Sequence, residues 1–269
     1  MAHLTQIHSV PTRSQPGACE TVTALPPPRL RPYVLGYSGF RSATGAQVRH
    51  RILPLNVTTL IVDFSAPGGL VTGPRSTSTV SGRTCWGHGV AVGLTPAGVS
   101  ALLGVPMPAL TEGTVPLAEF LGQHDAELTE RLGDAPDWSS RFAVLDDRLA
   151  AWSATERQPD GPVLEAWWRL QRPGGRLRIG TLAKELGVSR RYLELGFRRQ
   201  IGLSPGTVAR IARFQHAVYL LGRGAGLPRT AVDSGYADQP HLNRQMRAMA
   251  GVTPAELCAI LQYLRPVPG

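Results

Sequence analysis

Cysteine is scarce in this sequence: three residues, Cys19, Cys85 and Cys258, stand far apart and form no Cys-x-x-Cys pair. That pattern excludes a disulfide framework and a cysteine-rich zinc site, and the thiols are read as reduced. No apolar run approaches the roughly 18 residues of a membrane span. The opening MAHLTQIHSVPTRSQPG lacks the charged start and apolar centre of a secretory leader. A cytoplasmic protein without membrane association is therefore expected. No glycine-rich phosphate loop, Gly-x-Ser-x-Gly elbow or His-Glu-x-x-His run is present, so no catalytic residue and no cofactor is assigned. The pair Cys85 and His88, with His50 upstream, is too isolated for a metal site, and structural roles are expected for all three.

What the sequence does hold is positive charge in one place. The formal charge is +9, yet residues 1–160 carry 12 Lys+Arg against 13 Asp+Glu, while residues 161–269 carry 16 against 6. A solubilising basic surface accounts for a total but not for its segregation. A basic domain attached to a neutral one points instead to a polyanion-binding module with a separate sensing or assembly part. In the basic part Lys184 is the only lysine. Arginine suits bidentate contacts to phosphates and to guanine edges.

The chain divides on local signals. Residues 1–28 are polar and end in Pro26-Pro27-Pro28, which reads as a flexible leader. From 29 to 158 strand patterns come first, at Tyr33–Tyr37, Val57–Phe64 and Gly89–Leu94, separated by turn clusters such as Ser65-Ala66-Pro67-Gly68-Gly69. They predict a small antiparallel sheet or barrel. Helical patterns follow at Ala126–Leu132 and Ser139–Trp152, where Phe142, Leu145 and Leu149 recur at helical spacing. Gln158-Pro159-Asp160-Gly161-Pro162 is the best linker, with a boundary at about 160. From 159 to 269 nearly everything reads as helix: Val163–Gln171, Ile179–Leu186, Arg190–Gln200, Pro205–Leu221 and shorter pieces. The fold class is α+β, a sheet domain with helices followed by an all-α domain.

Two segments of the helical part agree at an offset of 49 residues: Ser189 with Asp238, Leu193 with Leu242, Phe197 with Met246, Arg198 with Arg247, Gly202 with Gly251 and Pro205 with Pro254. Each position has a physical reason. Ser189 and Asp238 are helix N-caps, the apolar pairs form an i, i+4 seam, and the glycines can end the helix in a left-handed conformation. A short helix and a glycine turn precede each cap, and the second turn is one residue longer. Helix, tight turn and capped basic helix is the helix-turn-helix pattern, here present twice.

Residues 162–262, through Gly235-Tyr236-Ala237-Asp238-Gln239-Pro240-His241-Leu242-Asn243-Arg244 and Gly251-Val252-Thr253-Pro254, resemble the DNA-binding domain of the AraC/XylS transcription regulators. The resemblance implies two recognition helices in adjacent major grooves, joined by a helix over Pro205–Leu221, whose 17 residues span roughly 25 Å. It places contacts in the second unit on Gln239, His241, Asn243 and Arg244, with Arg247 toward the backbone. Gln239 and Asn243 suit adenine and Arg244 suits guanine, whereas His241 is equally well explained as a cap. In the first unit the corresponding face is Arg190, Arg191, Glu194 and Leu195, with Arg198 and Arg199 near phosphates. Here the chain departs from the family, since Leu195 stands where Arg or Gln is common and Gly196 lies mid-helix, at a cost of about 1 kcal/mol relative to alanine. Leu195 suits a thymine methyl and Glu194 a cytosine amine.

The expected partner is promoter DNA, with RNA polymerase if the protein activates, and with control by a small effector or by homodimerisation left open. Residues 30–150 resemble the sensory domains that precede this module in actinobacterial regulators, through Leu94–Val105. Tyr37, Leu60, Val62 and Trp86 line a candidate lumen, for which a filled core is the simpler reading. Trp167-Trp168 reads as core packing, and Asp146-Asp147 and Glu127 with Glu130 as solvated helix faces. An alkylation-repair methyltransferase carrying the same module is the alternative, but no cysteine here stands in the Pro-Cys pair or cysteine cluster of those enzymes.

Overall fold

The computed structural model describes residues 6–13, 19–66, 68–153, 161–172 and 176–262. The strands are β1 (Ser9–Pro11), β2 (Glu20–Ala24), β3 (Val34–Arg41), β4 (Val48–Ile52), β5 (Thr58–Asp63), β6 (Leu70–Thr72), β7 (Cys85–Trp86), β8 (His88–Leu94) and β9 (Thr114–Pro116). They form two antiparallel sheets, one in the order β1-β4-β7 and one in the order β2-β3-β8-β5-β6-β9. β8 lies at the centre of the larger sheet, so that Val92 faces Tyr37 on one side and Leu60 on the other. Each residue of β5 is buried: its apolar and threonine run ends in Asp63, whose Oδ2 accepts from Gly87 N–H at 2.8 Å. Tyr37, Leu60, Val62 and Trp86 all belong to the packed core, and the His50 ring stacks on Trp86 with centroids 4.6 Å apart.

Two elements differ from the sequence reading. The segment 1–28, expected as a leader, contributes β1 and β2, because Ser9–Pro11 pairs with β4 and Glu20–Ala24 with β3. Asp146, expected in water, is half-buried and accepts a 2.7 Å hydrogen bond from the Tyr37 hydroxyl. Burial and the adjacent carboxylate push the Tyr37 phenol far above its ordinary range, which keeps it a hydrogen-bond donor at all physiological pH.

The helices are α1 (Pro96–Leu103), α2 (Ala118–Leu121), α3 (His124–Asp134), α4 (Trp138–Ser153), α5 (Pro162–Leu170), α6 (Ile179–Glu185), α7 (Arg190–Gln200), α8 (Pro205–Gly222), α9 (Leu227–Asp233), α10 (Gln239–Ala250) and α11 (Pro254–Gln262). α4 covers the large sheet: Phe142 stacks on Tyr37 at 5.7 Å, and Trp138 lies where a side chain at Gly39 would meet its ring at 2.4 Å. Trp138 Nε1 donates to Glu20 Oε1 at 2.8 Å, which ties the helix to β2. Of the expected linker at 158–162, residues 158–160 lie outside the described residues, and Gly161 and Pro162 already begin α5.

The helical part is joined to the sheets by specific polar contacts. Gln215 on α8 is 3% exposed and fully used: Nε2 donates to the carbonyls of Pro54 (2.7 Å) and Ile7 (3.1 Å), and Oε1 accepts from Ile7 N–H. Trp167 Nε1 donates to the Asn56 carbonyl at 3.2 Å. Buried polar groups cost free energy unless paired, so these contacts favour one relative placement of the two parts.

Candidate nucleic-acid interface

The two basic helices are built alike. Ser189 accepts from Tyr192 N–H at 3.0 Å to start α7, and Asp238 accepts from His241 N–H at 2.6 Å to start α10. Each cap satisfies one amide that the helix start leaves without a partner. Leu193 and Phe197 on α7, and Leu242 and Met246 on α10, are completely buried and turn one face of each helix inward. The preceding turns repeat as well. Gly187 and Gly235 have φ of +67° and +75°, and the next residue in each turn donates back to a carbonyl of the short helix, Val188 to Ala183 at 3.0 Å and Tyr236 to Ala231 at 2.9 Å.

The extra residue of the second turn has its own partner. Ala237 N–H donates to His241 Nδ1 at 3.3 Å, and the His241 ring sits edge-on to Tyr236 at 5.4 Å. A longer turn leaves one more amide unsatisfied, and the histidine meets it. The structure therefore uses His241 as part of the cap, leaving Nε2 as its remaining hydrogen-bonding atom. Burial raises the Tyr236 phenol to about 12 and keeps it neutral.

On the outward faces, Arg190, Arg191, Leu195, Arg198 and Arg199 of α7 and Asn243, Arg244 and Arg247 of α10 are exposed; Glu194, Gln239 and His241 are half-buried. Leu195 is 57% exposed. Arg190, Arg191, Glu194, Leu195 and Arg198 together line one shallow cleft. Among the described residues none of these arginines is engaged in an ion pair; the recorded pairs lie elsewhere, such as Arg169 with Glu185 and Arg229 with Asp233. Glu194 is the lone carboxylate on the α7 face. Such a surface carries an excess of positive charge over the nearby carboxylates Glu194 and Glu256, and a phosphate chain can offset it. Sequence reasoning missed Tyr192, which is 48% exposed beside these arginines on α7; its position between Arg191 and the seam residue Leu193 is the one available signal.

The mid-helix glycine also has a reason. A Cβ at Gly196 would stand 2.4 Å from Val163 Cγ2, so α5 and α7 approach more closely than any larger residue allows. The glycines after the recognition helices are constrained in the same way. Gly202 (φ +85°) has Thr111 Oγ1 2.0 Å and Pro108 Cα 3.0 Å from where its Cβ would be, and Gly251 (φ +68°) has Arg51 Nη1 at 3.1 Å. Arg51 Nη1 donates to the Ala250 carbonyl at 3.2 Å, and Ser78 N–H to the Met249 carbonyl at 2.7 Å. The sheet part therefore holds the C-terminal end of both α7 and α10, at places that sequence reasoning did not identify.

The other candidate chemistry resolves into structure. Among the described residues no group of three or more His, Cys, Asp or Glu could hold a metal ion. Burial lowers His50 to about 4, which makes it a neutral stacking partner for Trp86. Cys19 and Cys258 are half-buried, and burial raises both thiols above their ordinary range, away from the reactive thiolate. No described helix is long and apolar enough to cross a membrane.

Comparison with known proteins agrees with this geometry. Residues 182–259 match the family described as a helix-turn-helix domain, and residues 22–116 match a domain of unknown function, DUF6597. No curated protein matches the chain. Of solved structures, ToxT from Vibrio cholerae O395 aligns over 96% of this chain and 97% of its own, at 10% identity and a TM-score of 0.50. The same protein bound to (E)-4-(8-methylnaphthalen-1-yl)but-3-enoic acid aligns over 91% and 100%, at 12% identity and a TM-score of 0.50. A transcriptional regulator from Chromobacterium violaceum with an AraC-type DNA-binding domain aligns over 38% of this chain and 92% of its own, at 24% identity and a TM-score of 0.35. The paired, capped helices and the match of 182–259 identify a helix-turn-helix domain at the carboxyl end of the chain.

Proposed function

We propose that this regulator reads a promoter by placing α7 and α10 in two adjacent major grooves on one face of the duplex. The observation that supports this reading is the pair of outward arginine faces, on two helices built by the same cap, seam and turn, whose arginines form no ion pair among the described residues. α8 joins the units, and its 18 residues reach about 27 Å, close to the one-turn spacing of neighbouring grooves. Residues 159–269 form the DNA-binding domain, 29–158 the sensory or assembly domain, and 1–28 a leading segment that adds two strands to it.

In this reading Gln239, Asn243 and Arg244 meet base edges from α10, with His241 contributing Nε2 beside them, and Arg247 meets the backbone. Arg190, Arg191, Glu194 and Leu195 face bases from α7, and Arg198 and Arg199 face phosphates. An effector or dimerisation through the sheet domain controls binding, and RNA polymerase is a partner where the site lies upstream of an activated promoter. The protein acts in the cytoplasm. A repair enzyme is not favoured, since none of Cys19, Cys85 and Cys258 stands in the Pro-Cys pair or cysteine cluster of those enzymes.

The experiment compares two substitutions in the full-length protein over a set of single-base variants of its site. Arg244→Ala should cost about 1 to 3 kcal/mol and relax one base position, whereas Arg247→Ala should weaken every sequence alike. If Arg244→Ala changes neither affinity nor preference, the assignment of α10 is wrong.

A further inference from the structure

A second charged feature lies away from the DNA-reading faces. Arg75, between β6 and β7, is 1% exposed, yet no carboxylate forms an ion pair with it among the described residues. Its Nη2 donates to the Gly113 carbonyl (2.7 Å) and Thr114 Oγ1 (3.3 Å), while its buried Nε has no partner. Arg75 forms the floor of a cleft of about 470 Å³ lined also by Thr79, Ser81, Arg83, Glu112 and Thr114. Two cations and three hydroxyls there face one carboxylate, and that carboxylate is already engaged: Glu112 Oε1 accepts from both Ser76 N–H (2.8 Å) and Ser76 Oγ (3.0 Å). Glu112 is also the one non-glycine among the described residues with a left-handed backbone, φ +58°, a strained conformation of the kind that collects at ligand sites.

The cleft has two lips, and each touches a recognition helix. The first, residues 75–83, carries Ser78, whose N–H donates to the Met249 carbonyl at the end of α10. The second, residues 107–114, carries Pro108 and Thr111, which pack against Gly202 at the end of α7. The bonds from Ser76 to Glu112 and from Arg75 to Gly113 cross from lip to lip. Whatever binds between the lips therefore bears on the position of both helix ends.

We propose that this cleft binds a small organic oxyanion, a carboxylate or phosphate ester, between Arg75 and Arg83, and that its occupancy sets the relative placement of α7 and α10. The oxyanion supplies the acceptor that the buried Nε lacks and a second counter-charge beside that of Glu112, and the threonine and serine hydroxyls complete its shell. The second half of the proposal rests on the reading of α7 and α10 as DNA-reading helices; the first half does not.

The test uses full-length protein and two probes, citrate and inorganic phosphate, titrated calorimetrically at constant ionic strength with chloride as the balancing salt. At least one probe should bind saturably, and which one binds separates a carboxylate ligand from a phosphate. Arg83→Gln, at an exposed position that tolerates the change, should weaken binding about tenfold, the loss of one charge-assisted contact. Glu112→Gln keeps the acceptor for Ser76 but removes the opposing charge, and should tighten binding. A merely structural role for these residues produces no such opposite pair. If neither probe binds beyond chloride, or if the two substitutions leave affinity unchanged, the cleft is not an oxyanion site. DNA affinity measured with and without the bound probe tests the coupling: wild type should respond, and Arg83→Gln should need about tenfold more probe for the same response. Anion binding with the expected pattern but no DNA response would leave the site standing and overturn the coupling alone.

Discussion

Gly196 offers the sharpest test of how α7 is held. In an isolated helix, alanine would be better than glycine by about 1 kcal/mol. Here its Cβ would lie 2.4 Å from Val163 Cγ2, where ordinary contact begins at 3.4 Å. The neighbour must therefore move by about 1 Å, and Val163, 2% exposed in the core under α5, has little room to do so. Overpacking of this kind costs about 1 to 3 kcal/mol, which outweighs the helix gain and leaves Gly196→Ala less stable by up to about 2 kcal/mol. Trimming the obstacle should reverse the sign. Val163→Ala alone loses buried methyl groups and is destabilising, but in the Gly196→Ala background it relieves the clash, so the two changes should show a favourable coupling of at least about 1 kcal/mol. Urea unfolding of the four full-length proteins, followed by far-UV circular dichroism, measures the cycle. A Gly196→Ala protein more stable than wild type by about 1 kcal/mol, with no coupling to Val163, would refute the close approach of α5 and α7.

Other outcomes follow from the same geometry. His8 and His50 are held neutral, lowered by burial to about 3 and about 4. Because both are depressed in the folded state, the stability they protect is complete above pH 6.5 and is lost as pH falls toward 4, by up to about 1.4 kcal/mol per unit for each group. His50→Phe, which keeps the ring on Trp86, should flatten this part of the wild-type stability profile; an unchanged slope would remove His50 from the account. Asp238→Ala takes away the acceptor for His241 N–H and should cost about 1 kcal/mol of stability by thermal unfolding, with Asp238→Asn recovering most of it. Salt should weaken DNA binding steeply, with a log–log slope of at least about −3 if Arg198, Arg199 and Arg247 each neutralise a phosphate; Arg247→Ala should reduce that slope by about 1.

The repeated helical unit was legible because its signals are local. Caps, seams and glycine turns follow from bonds that close within a few residues, so Ser189, Asp238, Gly187 and Gly235 could be placed from their neighbours alone. The long strands β5 and β8 were legible for the same reason, as apolar runs bounded by turns. β1 was not, since a three-residue strand ending in proline carries no pattern of its own and exists because β4 lies beside it. Asp146 shows the same limit, its partner Tyr37 lying 109 residues away. Gly196 could be recognised only as a cost until Val163 was seen against it. At the end of α10, the bond from Ser78 N–H to the Met249 carbonyl uses backbone groups, which any residue could supply, and so leaves no trace in the sequence.

Selection of bound sequences from random duplex DNA by the full-length protein near physiological salt, followed by footprinting of the winner, tests the central claim most directly. One enriched motif is expected, protected over two adjacent major grooves on one face of the duplex. Protection of a single groove, or enrichment that disappears against non-specific binding, would contradict bipartite reading by α7 and α10.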